Sequence, residues 1–372
     1  MRIGVDARYA FRRQPRGIGR YLQALLAAYR ALGVRDTFVL FVDAQADLTA
    51  FGDLPADCAL VRLPGRNPLR FEEWELPRHA RRHRLDVLHL PANYGRVVPG
   101  VPTVFTVHDL IEFRRFEFSS HPLPLRHRVG RAVRIRRLPR ELHRARAVVA
   151  PSLWAADDIE QRLGVPRSRI RVIPHGCFED VRTGPPRAEA LSRLRAQGLA
   201  VPERFLLALD AVDARKNAAL VRAAFPRVKA RLPDVGLVTV GHEHREGVTL
   251  EAGEIRAGYV DRPTLCLLYR AASLFVFGSL QEGFGFPVLE AMASATPVVA
   301  LRASSVPEVG GDAVLYVDES DPGKLADLVL QVLGDPDLAA DLALRGEARS
   351  QVFTWEQSAR EHHRCLVEAA GS

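Results

Sequence analysis

Short apolar runs alternate along this chain with helix-favouring stretches, and that alternation restricts the fold more than any other property of the sequence. Ile3–Val5, Thr37–Val42, Asp86–Leu90, Thr103–Leu110, Ala147–Pro151 and Ile170–Pro174 read as strands in the first half. Phe205–Leu209, Val235–Val240, Ile255–Val260, Leu274–Phe277, Thr296–Leu301 and Ala313–Val317 read as strands in the second. Continuous apolar runs separated by helices mark parallel strands covered on both faces. The expected helices include Tyr21–Leu32, ended by Gly33, Trp154–Leu163 behind a Ser152 cap, and Pro263–Ala272 behind Asp261. Pro322–Leu333, Asp337–Gln351 and Trp355–Ala370 are expected to close the chain. Residues 177–204 lose the periodicity at first and contain Gly184-Pro185-Pro186, so the linker between two domains is placed there. At 372 residues each half can bury its own core. The expected fold is therefore α/β, two doubly wound parallel sheets with a cleft between them.

Charge is divided unevenly. Residues 1–182 hold 32 Arg, no Lys and 19 Asp plus Glu, whereas residues 183–372 hold 20 Lys plus Arg and 25 Asp plus Glu. The densest stretch, Phe113 to Arg146, carries 11 arginines and is expected to hold helices near Pro124–Arg137 and Arg140–Arg144. A basic half favours an anionic partner: a lipid-phosphate acceptor or an anionic membrane surface. Nucleic acid is not expected, because no motif for it and no interleaved aromatics are present. Arginine use throughout the chain also fits a compositional bias with solvated helix faces. Cys58, Cys177, Cys266 and Cys365 are scattered without metal-ligand or disulfide spacing, which fits a reducing cytoplasm. The chain begins directly on a strand pattern, so no signal peptide is expected.

The richest stretch in the second half is Gly278-Ser-Leu-Gln-Glu282-Gly-Phe-Gly-Phe-Pro-Val-Leu-Glu290-Ala-Met-Ala. A strand enters it and a helix leaves it. Gly283 and Gly285 permit a sharp turn and close approach of a ligand. Pro287 suits the first helical position, and the N–H groups of Val288, Leu289 and Glu290 are then expected to face out of the helix start as an anion site. Glu290, in the first turn, should point away from a bound phosphate toward neutral donors such as ribose hydroxyls. Glu282 should face whatever the phosphate carries. Together they suggest a nucleotide diphosphate bearing an activated group.

Three further turns belong with it. Arg215-Lys216-Asn217 follows a strand and opens a helix, where cations are unfavourable unless an anion joins them. Lys216 is one of three lysines in the chain. The pair can grip a diphosphate from the side opposite the helix start. In the first half, Gly17-Ile-Gly19-Arg20 precedes a helix but lacks the third glycine and distant acid of a dinucleotide fingerprint. His108 and Asp109 end a buried-type strand, the edge at which open parallel sheets bind ligands. A lone histidine there is more often structural than catalytic.

With these motifs in order, the chain resembles a family 4 glycosyltransferase of the two-Rossmann-domain (GT-B) type, in the mannosyltransferase-like branch. The glutamate pair with seven residues between them carries most of the likeness. Gly17-Ile-Gly19-Arg-Tyr, Val107-His108-Asp109-Leu110, Pro174-His-Gly176, Ala214-Arg-Lys-Asn217, Gly258-Tyr259-Val and Val306-Pro-Glu-Val-Gly310 support it. The resemblance implies an acceptor-binding domain over 1–180, completed by the C-terminal helix 355–372, and a nucleotide-sugar domain over 181–354. It implies hexose transfer with retention at the anomeric carbon, without a metal or other cofactor. The donor is a nucleotide diphosphate sugar, GDP-mannose favoured over UDP-sugars, and the acceptor a glycan or lipid-linked precursor.

By the same resemblance His108 and Glu282 are catalytic. Gly17, Gly19, Arg215, Lys216, Tyr259, Gly283, Phe284, Gly285, Phe286, Val288, Leu289 and Glu290 bind the donor, while Arg20 and Asp109 bind the acceptor. Two departures stand out: Asp210-Ala211 replaces a turn that often carries Gly and Arg, Thr or Ser. Ala293-Ser-Ala295-Thr-Pro replaces Ala-Cys-Gly-Thr-Pro. Two other readings are a non-catalytic nucleotide-sugar binder on the same fold and a related phosphorylase or epimerase.

Overall fold

The computed structural model describes the chain except Arg16, Ser372 and residues 50–53, 65–67, 119–124, 210–213 and 242–250, together with the side chains of residues 68, 115–118, 125–129 and 214. The Asp210-Ala211 departure and part of the Arg-rich stretch thus lie outside the described residues. Two compact units are present. Met1–Arg115, His121–Gly176 and Thr354–Ser372 form the first, and Cys177–Phe353 is the body of the second. The passages between units fall at Gly176–Cys177 and Phe353–Thr354, and residues 177–203 pack within the second unit, carrying helices Glu179–Arg182 and Arg187–Ala196.

The first unit is built on a seven-stranded sheet of β1 (Arg2–Asp6), β2 (Thr37–Val42), β3 (Cys58–Arg62), β4 (Val87–Leu90), β5 (Thr103–Thr106), β6 (Ala147–Ala150) and β7 (Ile170–Val172), in the order β3-β2-β1-β4-β5-β6-β7. All its pairings are parallel. The edge strand β3 adds to the strands expected from the sequence: Cys58-Ala-Leu-Val61 is an apolar run, but at the sheet edge the strand stays largely exposed. On one face the helix Ile18–Ala31 buries Tyr21, Leu22, Leu25, Leu26 and Tyr29. The C-terminal helix Trp355–Ala370 packs beside it, capped by the Thr354 hydroxyl and burying Trp355, Ala359, His362, Leu366 and Ala369 at helical spacing.

The Arg-rich stretch corrects another expectation. In place of the two helices expected over 124–144 there is a single helix, Leu125–Arg144, that runs through Pro139, and the stretch begins within a separate helix, Ile111–Phe118. An interior proline costs about 3 kcal/mol. Burial of Leu138 and Leu142 on either side of it, at roughly 1.5–3 kcal/mol each, offsets that cost.

The second unit holds a six-stranded parallel sheet of β8 (Arg204–Leu209), β9 (Val235–Val240), β10 (Glu254–Gly258), β11 (Leu274–Phe277), β12 (Val298–Leu301) and β13 (Leu315–Val317), ordered β10-β9-β8-β11-β12-β13. Separate apolar clusters cover its two faces, one around Phe205, Tyr269 and Phe275, the other around Phe225, Val276 and Val299. In both units the direction of winding reverses once: between β1 and β4, and between β8 and β11. Loops leaving the carboxyl ends of such a pair diverge to opposite faces and leave a crevice for a ligand.

Candidate functional site

In the second unit the reversal point brings together the turn after β8 and the loop after β11. A 3₁₀ turn, Ala214–Lys216, presents Arg215 and Lys216, and Ser279–Glu282 faces them. The Lys216 ammonium donates to Glu282 Oε1 at 2.7 Å, and Arg215 Nη1 lies 2.9 Å from the same oxygen. The Ser279 hydroxyl donates to Oε1 at 2.6 Å. Arg215 also grips the Gln281 carbonyl at 2.6 Å, and the Leu280 N–H returns a bond to the Arg215 carbonyl at 2.8 Å. From the loop after β12, Ser304 Oγ accepts the Glu282 N–H at 2.8 Å and Ser305 Oγ donates to the Glu282 carbonyl at 2.9 Å. Burial alone would raise the Glu282 carboxyl, but Lys216, Arg215 and the hydroxyl outweigh it, and its pKa is lowered. The acid is ionised, and two cations share it.

The helix start differs from the expectation. The helix runs Phe286–Ala293, so Pro287 is its second residue and Glu290 lies past the first turn. The N–H groups of Val288 and Leu289 both donate to the Gly285 carbonyl, at 3.1 and 3.2 Å. They are spent on closing the turn and do not face outward. Gly285 has φ +106°, a backbone that side chains rarely adopt, and this lets its carbonyl fold back onto those amides. Phe284 is buried edge-on against Phe286 and Phe353, and Phe286 stacks on Phe178 at 5.1 Å, so both rings serve the core. Tyr259 is 49% exposed beyond β10, at the outer edge of the sheet and two strands from β8.

Glu290 has a partner that the sequence reading missed. Arg262 Nη1 lies 2.7 Å from Glu290 Oε1, while its Nε and Nη2 donate to Asp180 at 2.9 and 2.8 Å. Glu290 is 6% exposed. Burial opposes the Arg262 charge, but Asp180 and Glu290 reverse that and raise its pKa. A signal was available: Arg262 follows the Asp261 cap as the first helical residue, an unfavourable place for a cation without an anion.

In the first unit the reversal point carries the Gly-x-Gly turn, Asn93, His108 and Asp109. Gly17 caps the helix Ile18–Ala31 with φ +42°, and a Cβ on Gly19 would stand 2.3 Å from the Tyr9 carbonyl oxygen. Close packing of the helix start on the β1 loop is thus one reason for Gly19. Arg20 is half-buried in the first turn of that helix. Asn93 accepts the His108 N–H at 2.8 Å and donates to the Asp109 carbonyl at 2.8 Å, pinning the pair. His108 Nε2 meets the Pro91 carbonyl at 3.0 Å, which only accepts, so that nitrogen carries the proton. Nδ1 then accepts from His175 Nε2 at 3.1 Å. Burial lowers the His108 pKa to about 4. The ring is neutral and both nitrogens are engaged, so it is a fixed dipole and not a ready acid or base.

Around it runs a buried polar chain. His362 Nδ1 donates to the Ser358 carbonyl at 2.8 Å, so its Nε2 accepts from the Tyr21 hydroxyl at 2.8 Å. Tyr21 lies 3.3 Å from Thr106 Oγ1, which lies 2.8 Å from His89 Nε2. This chain ties the C-terminal helix to β4 and β5 through hydrogen bonds with one consistent direction. A second buried group, Asp6–Arg8–Glu72, stands at the end of β1. Arg8 bonds Asp6 at 2.9 and 2.7 Å and Glu72 at 3.0 Å, with Phe71 4.1 Å from its guanidinium carbon. Several arginines of the Arg-rich stretch are likewise held within the unit: Arg134 on Glu112, Arg137 on Glu73 and Arg114 on Asp158. Among the described residues no group of three or more His, Cys, Asp or Glu is placed to hold a metal ion, and no helix is long and apolar enough to cross a membrane.

Two doubly wound parallel units, each with residues gathered at its winding reversal, define the GT-B class. Solved structures agree on the fold. Anabaena Alr3699/HepE, in complex with UDP and glucose, matches at TM-score 0.73 and 19% identity, covering 98% of this chain and 99% of its own. WaaG, a glycosyltransferase involved in lipopolysaccharide biosynthesis, matches at TM-score 0.70 and 15% identity over 98% and 99%. Residues 15–179 match the model for Glycosyltransferase Family 4 and residues 204–335 that for Glycosyl transferases group 1. O-antigen chain mannosyltransferase B of Escherichia coli is 30% identical over 369 residues, 91% of this chain and 93% of that protein. D-inositol 3-phosphate glycosyltransferase of Segniliparus rotundus is 28% identical over 70% of this chain and 59% of that protein. The chain belongs to glycosyltransferase family 4, in its mannosyltransferase-like branch, and is a glycosyltransferase.

Proposed function

We propose that this enzyme moves mannose from GDP-mannose to a glycan or lipid-linked acceptor in envelope polysaccharide synthesis, with retention at the anomeric carbon and without a metal. The observation that carries the reading is the convergence of Arg215 and Lys216 on Glu282 at the β8–β11 reversal. Cleavage of a sugar–phosphate bond builds negative charge on the leaving diphosphate. Cations held in place before the reaction stabilise that charge without reorganising. A diphosphate entering beside Lys216 and Arg215 competes for both, which turns Glu282 toward the hydroxyls of the hexose. Glu290 then receives the ribose. Glu282 is not required to form a covalent bond, and the two acids are not a glycosidase pair. His108 contributes as a neutral, oriented ring, and Asp109 and Arg20 face the acceptor.

The choice of mannose is supported by the likeness to the O-antigen mannosyltransferase; a UDP-sugar donor is the alternative. The reaction runs in the cytoplasm, with contact to an anionic membrane surface through the basic first unit. Preferential, salt-sensitive binding to anionic over neutral vesicles tests that part.

A thermal-shift screen of nucleotide sugars tests the donor, since a ligand of the folded state raises apparent stability by mass action. GDP-mannose is expected to raise the melting temperature more than UDP-glucose or UDP-galactose, and GDP to be released with acceptor present. Binding without release of nucleoside diphosphate from any donor would instead favour a non-catalytic binder.

A further inference from the structure

We infer that Arg262 is the positioning residue for Glu290, fixing the carboxylate that reads the ribose, and that Asp180 in turn fixes Arg262. The inference rests on the proposed donor site and adds residues which that reading did not contain. A glutamate side chain has three rotatable torsions and, at a ribose, must present its oxygens within a few tenths of an ångström. Glu290 gains that definition from outside its own helix. Arg262 Nη1 takes Oε1 at 2.7 Å, and the same guanidinium is held in its plane by two bonds to Asp180. The stack beneath completes the mounting: the Arg262 guanidinium carbon lies 5.7 Å from the Phe178 ring centroid, and Phe178 stacks on Phe286, the first residue of the helix that carries Glu290. Arg262, Asp180, Phe178 and Glu290 thus form one closed frame, with both ends of Arg262 occupied by acids.

The charge arrangement supports the same role. Glu290 is 6% exposed, and the wholly buried Tyr269 lies beside it. A buried carboxylate without a cation tends to take up a proton. A neutral carboxyl is a poorer acceptor for a vicinal diol than an ion, because hydrogen bonds to charged groups are the stronger kind. Arginine suits the position for a geometric reason as well. Its planar fork reaches Asp180 and Glu290 at once, whereas a lysine offers a single point charge.

The test compares nucleotides with and without ribose hydroxyls. GDP and 2′,3′-dideoxy-GDP, and UDP and 2′,3′-dideoxy-UDP, are titrated by calorimetry into the wild type, Arg262→Gln, Arg262→Lys, Asp180→Asn, Glu290→Gln and the Arg262→Gln/Glu290→Gln double variant. Circular dichroism confirms folding of each. The wild type is expected to prefer the hydroxylated nucleotide about tenfold to a hundredfold, as for one or two bonds to a charged group. Arg262→Gln and Glu290→Gln should each cut that preference to about twofold or less, and the double variant should cut it no further. Asp180→Asn and Arg262→Lys should fall between.

If Glu290→Gln removes the preference and Arg262→Gln, folded, keeps it, the positioning role is overturned while the donor reading stands. If Glu290→Gln keeps the preference, or if neither nucleotide binds the wild type, both fail. A loss of melting temperature in Arg262→Gln with the preference intact counts as the first of these outcomes.

Discussion

Acidification should unfold the first unit well before its carboxylates titrate. Four imidazoles, those of His89, His108, His175 and His362, are held neutral in or beside the buried polar chain. Burial lowers the pKa of His108 and His362 to about 4, and holds those of His89 and His175 well below the usual imidazole value. In the unfolded chain each returns to about 6.5. The unfolded state therefore binds more protons as pH falls through that value, and stability falls with it. The contribution is intact above about pH 6.5 and is lost progressively down to about pH 4.

At pH 5 the difference is about 1.5 logarithmic units for His108 and for His362, or about 2 kcal/mol each and about 4 kcal/mol together. His89 and His175 add to this with the same sign. Glu72 works the other way, because burial raises its pKa despite Arg8, so folding favours its proton in the carboxylate range. Against a total stability of about 5–15 kcal/mol, the loss is large.

The assay is direct, because Trp74, Trp154 and Trp355, the three tryptophans of the chain, all lie in the first unit. Urea unfolding followed by tryptophan fluorescence reports that unit alone. With a slope of about 2 kcal/mol per molar, the midpoint should fall by about 2 M between pH 7 and pH 5 at constant ionic strength. A midpoint that moves by less than about 0.3 M would refute the reasoning, since it would mean that these imidazoles take up protons in the folded state as readily as in the unfolded one.

Lys216→Ala should weaken nucleoside diphosphate binding about tenfold, as for one lost bond to a charged group, and calorimetry with GDP measures it. Equal affinity in variant and wild type would remove Lys216 from the diphosphate site. Gly285→Ala should lower stability by about 1–2 kcal/mol, because its φ of +106° strains any side chain; the readout is the melting temperature of the ligand-free protein. Gly19→Ala should destabilise the first unit through the clash with the Tyr9 carbonyl, moving the tryptophan midpoint even without ligand. A variant as stable as the wild type would leave ligand approach as the reason for that glycine.

Much of the architecture is written in local pattern. A strand buried on both faces must be apolar throughout, and a helix on a sheet must be apolar at every third or fourth residue. The β/α alternation and the C-terminal helix are therefore readable residue by residue. The same holds for the Glu282 loop, since a strand, glycines, a proline and a helix start follow one another in the chain. Where local pattern was weak or misleading, the reading failed. The edge strand β3 stays largely exposed although Cys58-Ala-Leu-Val61 is apolar, and Pro139 marks a helix end that burial of Leu138 and Leu142 overrides.

The site divides along the same line. The residue types at the winding reversals, Arg215, Lys216, Glu282, Glu290, His108 and Asp109, were legible because each sits at a strand end or helix start. Their pairings were not. Which acid Lys216 would meet, that Arg262 would take Glu290, that Val288 and Leu289 would spend their amides on Gly285, and which nitrogen of His108 would carry its proton all depend on distances between segments far apart in the chain. Strand order sets those distances, and strand order follows from how all the helices and strands pack together. The sequence by itself determined which chemical groups stand at the ends of the strands; only the tertiary structure decided which of them lie within 3 Å of one another, because hydrogen bonds and ion pairs act over that range and local periodicity carries no information about it.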